Sequence, residues 1–201
     1  MGAGDEVPEA LRQVDYDVTL LDDAALRDES LARFDAVVVG VRAYSTNPRM
    51  PFHYAKLMSY VEGGGVLLVQ YDTGDRFGPL PPDIGPYPFK ITRDRVTDET
   101  AAVTFDAPTH PLMLQPNVLG PADFDGWVQE RGLYFAGTWD EHYLTLFSMH
   151  DPGEPALRGS LLVAPYGKGL FLYTGLAFFR QLPAGVPGAF RLFANLLAHG
   201  R

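Results

Sequence analysis

The chain has 201 residues, 46% of them hydrophobic and 20% charged, enough for one domain with its own core and too apolar for wholesale disorder. A net charge of −9 and a pI near 4.9 argue against nucleic-acid binding, which needs a basic face, and against docking on anionic membranes. The lack of cysteine excludes disulfides, thiolate zinc sites and cysteine nucleophiles, and no apolar run reaches the roughly 20 residues of a membrane span.

In chain order, Gly2 to Asp5 reads as a turn rather than a signal peptide, so a soluble protein of undetermined compartment is expected. Asp5 then N-caps a helix that tolerates Pro8 in its first turn. Tyr16–Leu21 alternates as a strand, Ala24–Arg33 is a short helix, and Ala36–Val41 is a continuous β-branched run, as in a strand buried on both faces. Phe52–Val61 is a helix stopped by Gly63-Gly64-Gly65, and Val66–Gln70 is the next buried strand. This rhythm predicts a mostly parallel sheet flanked by helices. A βαβ series begins with a strand, so the turn at Gly2–Gly4 leads us to expect a chain cut from a longer polypeptide, short of its first strand.

From Asp75 to about Pro121 the rhythm breaks into a proline-rich excursion with aromatics interleaved. Strand-like runs follow at Gly132–Phe135, Tyr143–Ser148 and Ser160–Ala164. Tyr166-Gly-Lys-Gly169 predicts a hairpin turn into Leu170–Thr174, giving antiparallel strands near the C-terminus. An amphipathic helix over Gly188–Ala198 closes the chain, with Phe190, Phe193, Leu196 and Leu197 on one face.

In open parallel sheets, ligands bind beyond the carboxyl ends of the strands. That rule selects Gly40–Tyr44, Gln70–Asp72, Gly175–Arg180 and the opening Gly2–Asp5. Arg42 and Arg180 at neighbouring strand ends can clamp a carboxylate, phosphate or acidic sugar, or each can pair with a local acid. Arg93–Glu99 alternates charge and reads either as a solvated loop or as a contributor through Arg95. Trp127, Tyr134 and Trp139 can stack on sugar rings, but core packing is the better reading. The candidate ligand-lining residues are Arg42, Tyr44, Gln70, Tyr71, Arg95, Glu130, Arg131 and Arg180. No histidine pair has zinc spacing, a His150–Asp151 pair is conceivable, and Gly2-Ala3-Gly4 lacks the third glycine of a dinucleotide fingerprint, so neither metal nor cofactor is expected. A rival reading is a hydrolase using Asp72 or Glu130 as base with His110 or His150. Another is a structural or dimerising domain with an apolar patch at Phe178 and Phe179.

The order from the triple-glycine stop through the Val66 strand to its turn resembles the class I glutamine amidotransferase-like fold, a flavodoxin-like architecture, including its ThuA-like branch. More closely, Met1–Leu11, Gly40–Tyr44, Ile84–Phe89, Arg93–Glu99, Trp127–Phe135, Asp151–Glu154 and Leu182–Phe190 resemble the domain that follows the catalytic domain in long PIG-L (LmbE-type) deacetylases. That resemblance implies a strand just before Met1, a partner deacetylase domain that carries the zinc chemistry, and a saccharide nearby. The amidotransferases place Cys at the sharp turn after this strand; here Tyr71 and Asp72 stand there, so acyl transfer lacks its nucleophile. The expectation is a non-catalytic accessory domain.

Overall fold

The computed structural model describes residues 5–74 and 79–198, so Gly2–Gly4, a stretch of the proline-rich excursion and His199 lie outside the described residues. Helix α1 (Val7–Arg12) carries Pro8 in its first turn and turns Val7, Ala10 and Leu11 inward at the three- and four-residue spacing of one helical face. Helix α2 (Asp23–Asp28) starts where the Asp22 carboxylate accepts the Ala25 N–H at 2.8 Å. Strand β1 (Ala36–Val39) leads to the one-turn helix α3 (Ala43–Thr46) and then to α4 (Tyr54–Glu62), which buries Leu57, Met58, Tyr60 and Val61. The triple glycine ends α4 for a steric reason. Gly64 has φ 117°, and a Cβ on Gly65 would lie 2.2 Å from the Tyr60 ring.

Strand β2 (Val66–Gln70) is buried along its whole length. The excursion supplies β3 (Phe89–Ile91), β4 (Arg95–Val96), β5 (Val103–Phe105) and α5 (Pro111–Leu114). Then come β6 (Gly132–Leu133), β7 (Ala136–Trp139), β8 (Leu144–Thr145), β9 (Phe147–Met149), β10 (Leu161–Tyr166) and β11 (Gly169–Thr174). Helices α6 (Phe178–Gln181) and α7 (Pro187–Leu197) complete the described chain.

The central sheet has the order β1-β2-β11-β10-β8. β1, β2 and β11 run parallel, with Val39 opposite Val69 and Val69 opposite Tyr173, so all three end on the same side. β10 is antiparallel to both β11 and β8, so the sheet is mixed, with the expected antiparallel hairpin near the C-terminus. The β10–β11 hairpin turns at Gly167, whose φ of 59° is left-handed and whose Cβ would lie 2.6 Å from Glu62. The excursion is tied back by three two-stranded ladders, β3/β7, β4/β6 and β5/β9.

Each face of the sheet has its own apolar layer. α1 and α7 cover one, packing Leu11, Phe193 and Leu196 with Leu68, Val163 and Leu172. α2 and α4 cover the other, packing Leu26, Leu57 and Val61 with Leu67, Leu162 and Phe171. Each such leucine or phenylalanine contributes about 1.5–3 kcal/mol by leaving water.

Three expected elements differ. Tyr16–Leu21 forms no ladder among the described residues. The single strand expected over Tyr143–Ser148 divides, because Thr145 pairs with Leu162 in the main sheet while Phe147 pairs with Phe105 in another ladder. The strand over Gly132–Phe135 stops early, because Tyr134 takes a left-handed φ of 55° that breaks the pairing.

Candidate site at the parallel strand ends

The turns after β1, β2 and β11 meet above the sheet. Arg42 follows β1 in a left-handed conformation (φ 58°) and donates its N–H to the Tyr71 carbonyl at 2.9 Å, joining the first two turns. Its guanidinium Nε is buried and has no hydrogen-bond partner among the described residues. Tyr71 stacks on Tyr134 with ring centroids 5.4 Å apart and packs against Phe179 at 5.2 Å. Burial pushes the Tyr71 phenol above its ordinary range, Tyr134 and Glu130 add to the rise, and the positive charges of Arg42 and Arg180 oppose it. Tyr71 is therefore the point at which both cations act.

Arg180, on α6, donates its Nε to the Glu130 carboxylate at 2.8 Å, and its guanidinium lies 4.8 Å from the Phe179 ring. Glu130 is buried, while about a third of the Arg180 side chain remains exposed. The loop bearing Glu130 is held to the end of β11 by backbone bonds from Leu133 N to Gly175 O (2.8 Å) and from Ala177 N to Arg131 O (3.1 Å). Gly132 is required there, since a Cβ would sit 2.3 Å from the Gly175 carbonyl oxygen.

Asp72 has a structural task. Its carboxylate accepts the backbone N–H groups of Tyr44 (2.7 Å), Ser45 (3.0 Å) and Thr73 (2.9 Å), and the Ser45 hydroxyl. It thereby locks α3 to the β2 turn. Burial still raises its pKa above the ordinary carboxylate value, against those hydrogen bonds. Asp5 has a similar task nearby, accepting from Val41 N at 3.1 Å and Gln70 Nε2 at 3.0 Å, and burial raises its pKa too.

Of the eight candidate residues, Arg42, Tyr71, Glu130 and Arg180 come together here. Gln70 Oε1 and the Tyr44 hydroxyl are both buried and have no hydrogen-bond partner among the described residues. Burial drives the Tyr44 phenol far up. Arg131 points into the core. Its Nε donates to the Ala101 carbonyl at 3.0 Å and its Nη1 to the Phe124 carbonyl, with the guanidinium 5.5 Å from the Phe124 ring and 5.8 Å from that of Trp127. Arg95 is exposed on β4 and acts on Asp151 instead. There burial is outweighed by hydrogen bonds from Asp98 and Thr97 and by the Arg95 charge, so the carboxyl is held low.

Tyr134 and Phe179 were missing from the lining set. Their contribution depends on a left-handed residue and on the turn after β11, which no sequence periodicity reveals. Trp127 is core, as its size suggested, and Phe178 is fully buried against Phe193 rather than exposed. His150 meets the Asp151 carbonyl oxygen, not its carboxylate, at 2.9 Å. His110 Nδ1 accepts the Leu112 N–H and caps α5. Among the described residues no group of three or more His, Asp or Glu comes together as a metal site, and no helix is long and apolar enough to cross a membrane.

No family model matches the sequence, and no curated protein does so. Among solved structures, the chain is similar to cytoplasmic protein STM3548 from Salmonella typhimurium, with a TM-score of 0.57 and 15% identity over 94% of this chain and 83% of that one. Cytoplasmic protein STM1381 from Salmonella typhimurium LT2 gives a TM-score of 0.56 and 17% identity over 98% and 86%. The likeness is one of fold. A segment of a β-galactosidase from Rahnella sp. R3 also matches, with a TM-score of 0.45 and 20% identity over 84% of this chain and 24% of that chain.

Proposed function

We propose that this domain is a non-catalytic binding module of the flavodoxin-like, class I glutamine amidotransferase-like type, and that it takes an anionic or hydroxyl-rich saccharide at the parallel strand ends. The observation that carries the reading is the buried, unpartnered Nε of Arg42 beside the Tyr71–Tyr134 stack, with Arg180 acting on the same ring. A buried donor without an acceptor costs about 1–3 kcal/mol, and a ligand carboxylate, phosphate or hydroxyl oxygen relieves that cost. Arg42 and Arg180 would hold the oxygens, while Tyr134 and Phe179, both half-buried, would meet the ring face.

A binding role is favoured over hydrolysis by the chemistry of the turn after β2. Tyr71 is stacked there, and the Asp72 carboxylate and Ser45 hydroxyl are bonded to each other and to the backbone. The setting we propose, from the sequence resemblance, is beside a PIG-L-type deacetylase catalytic domain that presents or receives the same saccharide.

The test is a thermal-shift screen of the chain against amino sugars, acetylated and deacetylated oligosaccharides, uronic acids and phosphosugars, run with Arg42→Ala alongside. A shift in the parent that disappears in the variant supports the reading. A cooperative melt unmoved by every compound contradicts it.

A further inference from the structure

The charges at the strand ends are arranged so that the two arginines are not equivalent. Both act on the Tyr71 phenol, and so does the negative charge of Glu130, which places all three groups around one ring. Arg180 donates its Nε to a Glu130 oxygen at 2.8 Å, and that carboxylate is buried, so it has no water to exchange for its cation. Arg180 therefore offers a ligand N–H groups but no net charge. Arg42 forms no ion pair among the described residues, and its buried Nε has no acceptor there. Arg93, which lines a small hollow beside Tyr134, is already engaged.

Two further carboxylates flank Arg42. Asp5 accepts the Val41 N–H at 3.1 Å and Asp72 accepts the Tyr44 N–H at 2.7 Å, the residues one before and two after that arginine. Both are taken up by backbone donors, which leaves their negative charge in place. At the turns after β1, β2 and β11, Arg42 and Arg180 thus stand against Asp5, Asp72 and Glu130.

That balance discriminates between anions. One ligand charge is met by Arg42. A second finds no cation left and meets three carboxylates, in a partly buried setting where salt and water screen poorly. Like charges brought together in this way are a common means of excluding a wrong ligand. A sugar carboxylate carries one charge near neutrality, whereas a phosphate monoester carries about 1.5 to 2.

We propose that Glu130 sets the charge specificity of this site: by holding Arg180 it leaves Arg42 as the uncompensated cation, so the site takes a singly charged sugar of the uronic type and disfavours the corresponding phosphosugar. This selectivity rests on the binding role proposed above.

The test is a calorimetric titration of the chain at neutral pH with glucose, glucuronate, glucose 6-sulfate and glucose 6-phosphate, which share one ring and differ at a single carbon. The sulfate has the tetrahedral shape of the phosphate and the single charge of the carboxylate, so it separates charge from shape. Glucuronate and the sulfate are expected to bind alike, with the phosphate about tenfold weaker. In Glu130→Gln, which keeps the shape of the side chain and releases Arg180, the phosphate is expected to gain about tenfold relative to glucuronate. Phosphate binding as tightly as glucuronate in the parent overturns the proposal and leaves the binding role standing. So does a sulfate that behaves like the phosphate, which assigns the selection to shape, or glucose that binds as tightly as glucuronate, which shows that no charge is read. An unchanged phosphate-to-glucuronate ratio in Glu130→Gln removes Glu130 from the selection and overturns the proposal as well. Neither heat nor a thermal shift with any of the four contradicts the binding role itself, and the selectivity falls with it.

Discussion

Removing the Arg180 guanidinium leaves the Glu130 carboxylate, with 7% of its side chain exposed, without its cation. Losing one partner of a buried pair is more costly than the pair is worth, because the remaining charge is desolvated and uncompensated. With Arg180 itself partly open to water, Arg180→Ala is expected to cost about 1–3 kcal/mol by urea denaturation, whereas Glu130→Gln with Arg180→Ala restores some of that loss. A second residue-scale prediction concerns pH. Burial raises Asp5 and Asp72 above 3.8, so each folded-state pKa exceeds the unfolded one. Their stabilising contribution is fully present below pH 3.8 and is lost as pH rises through the raised values. Asp23, lowered by the Asn47 hydrogen bond, Asp28, lowered by Arg27, and Asp140, lowered by the His142 N–H, act oppositely, losing stability as pH falls through their folded values below 3.8. The urea midpoint is therefore expected to rise on acidification from neutrality and to fall again below about pH 3.8. Asp72→Asn is expected to shrink the rise; an unchanged profile would separate Asp72 from it. Arg42 and Arg180 were legible as candidates because a strand end fixes where a side chain can act. Arg131 was misplaced because a cation that caps buried carbonyls looks identical in sequence to one that faces a ligand.

The element that sets the site is the short β6 segment, seated on the end of β11 by the Gly132–Leu176 bridge. Gly132→Ala forces a Cβ against the Gly175 carbonyl, so the segment must lift and carry Glu130 away from Arg180. The expected outcome is a loss of about 1–3 kcal/mol together with weakened ligand binding; full stability with intact binding would show that the seat is not what holds the site. β2, β11 and α7 were readable because a continuous apolar run or a 3.6-residue stripe, bounded by glycine or proline, specifies its own partners. The Leu144–Met149 stretch was not, since one half pairs with β10 and the other with β5, more than 40 residues earlier in sequence. Periodicity reports a strand but not which sheet takes it. Tyr16–Leu21 makes the converse point: its alternation is that of a strand, yet it joins no ladder among the described residues.

At the scale of the whole molecule, Arg42 and Arg180 share one end of the sheet with the Asp5, Asp72 and Glu130 carboxylates, in a chain of net charge −9, so the proposed anion relies on the free donor of Arg42 rather than on a positive field. A ligand present at 100 times its Kd stabilises the folded state by about 2.7 kcal/mol, which in a domain of this size raises Tm by about 5–10 °C. The same ligand is expected to move Arg42→Ala by less than half that amount. The α/β class and the hairpin turn were readable because each rests on local chemistry. The division of Tyr143–Ser148 between two ladders and the aromatic stack were not, because both depend on how distant segments return. The most direct test of the binding reading is an NMR titration of the isotope-labelled chain with the best-stabilising saccharide from the thermal screen. The largest amide shifts are expected at residues 40–45, 70–73, 130–134 and 178–181, with the Arg42 side-chain Nε–H among them. Shifts concentrated elsewhere, or none at saturating ligand, would contradict it.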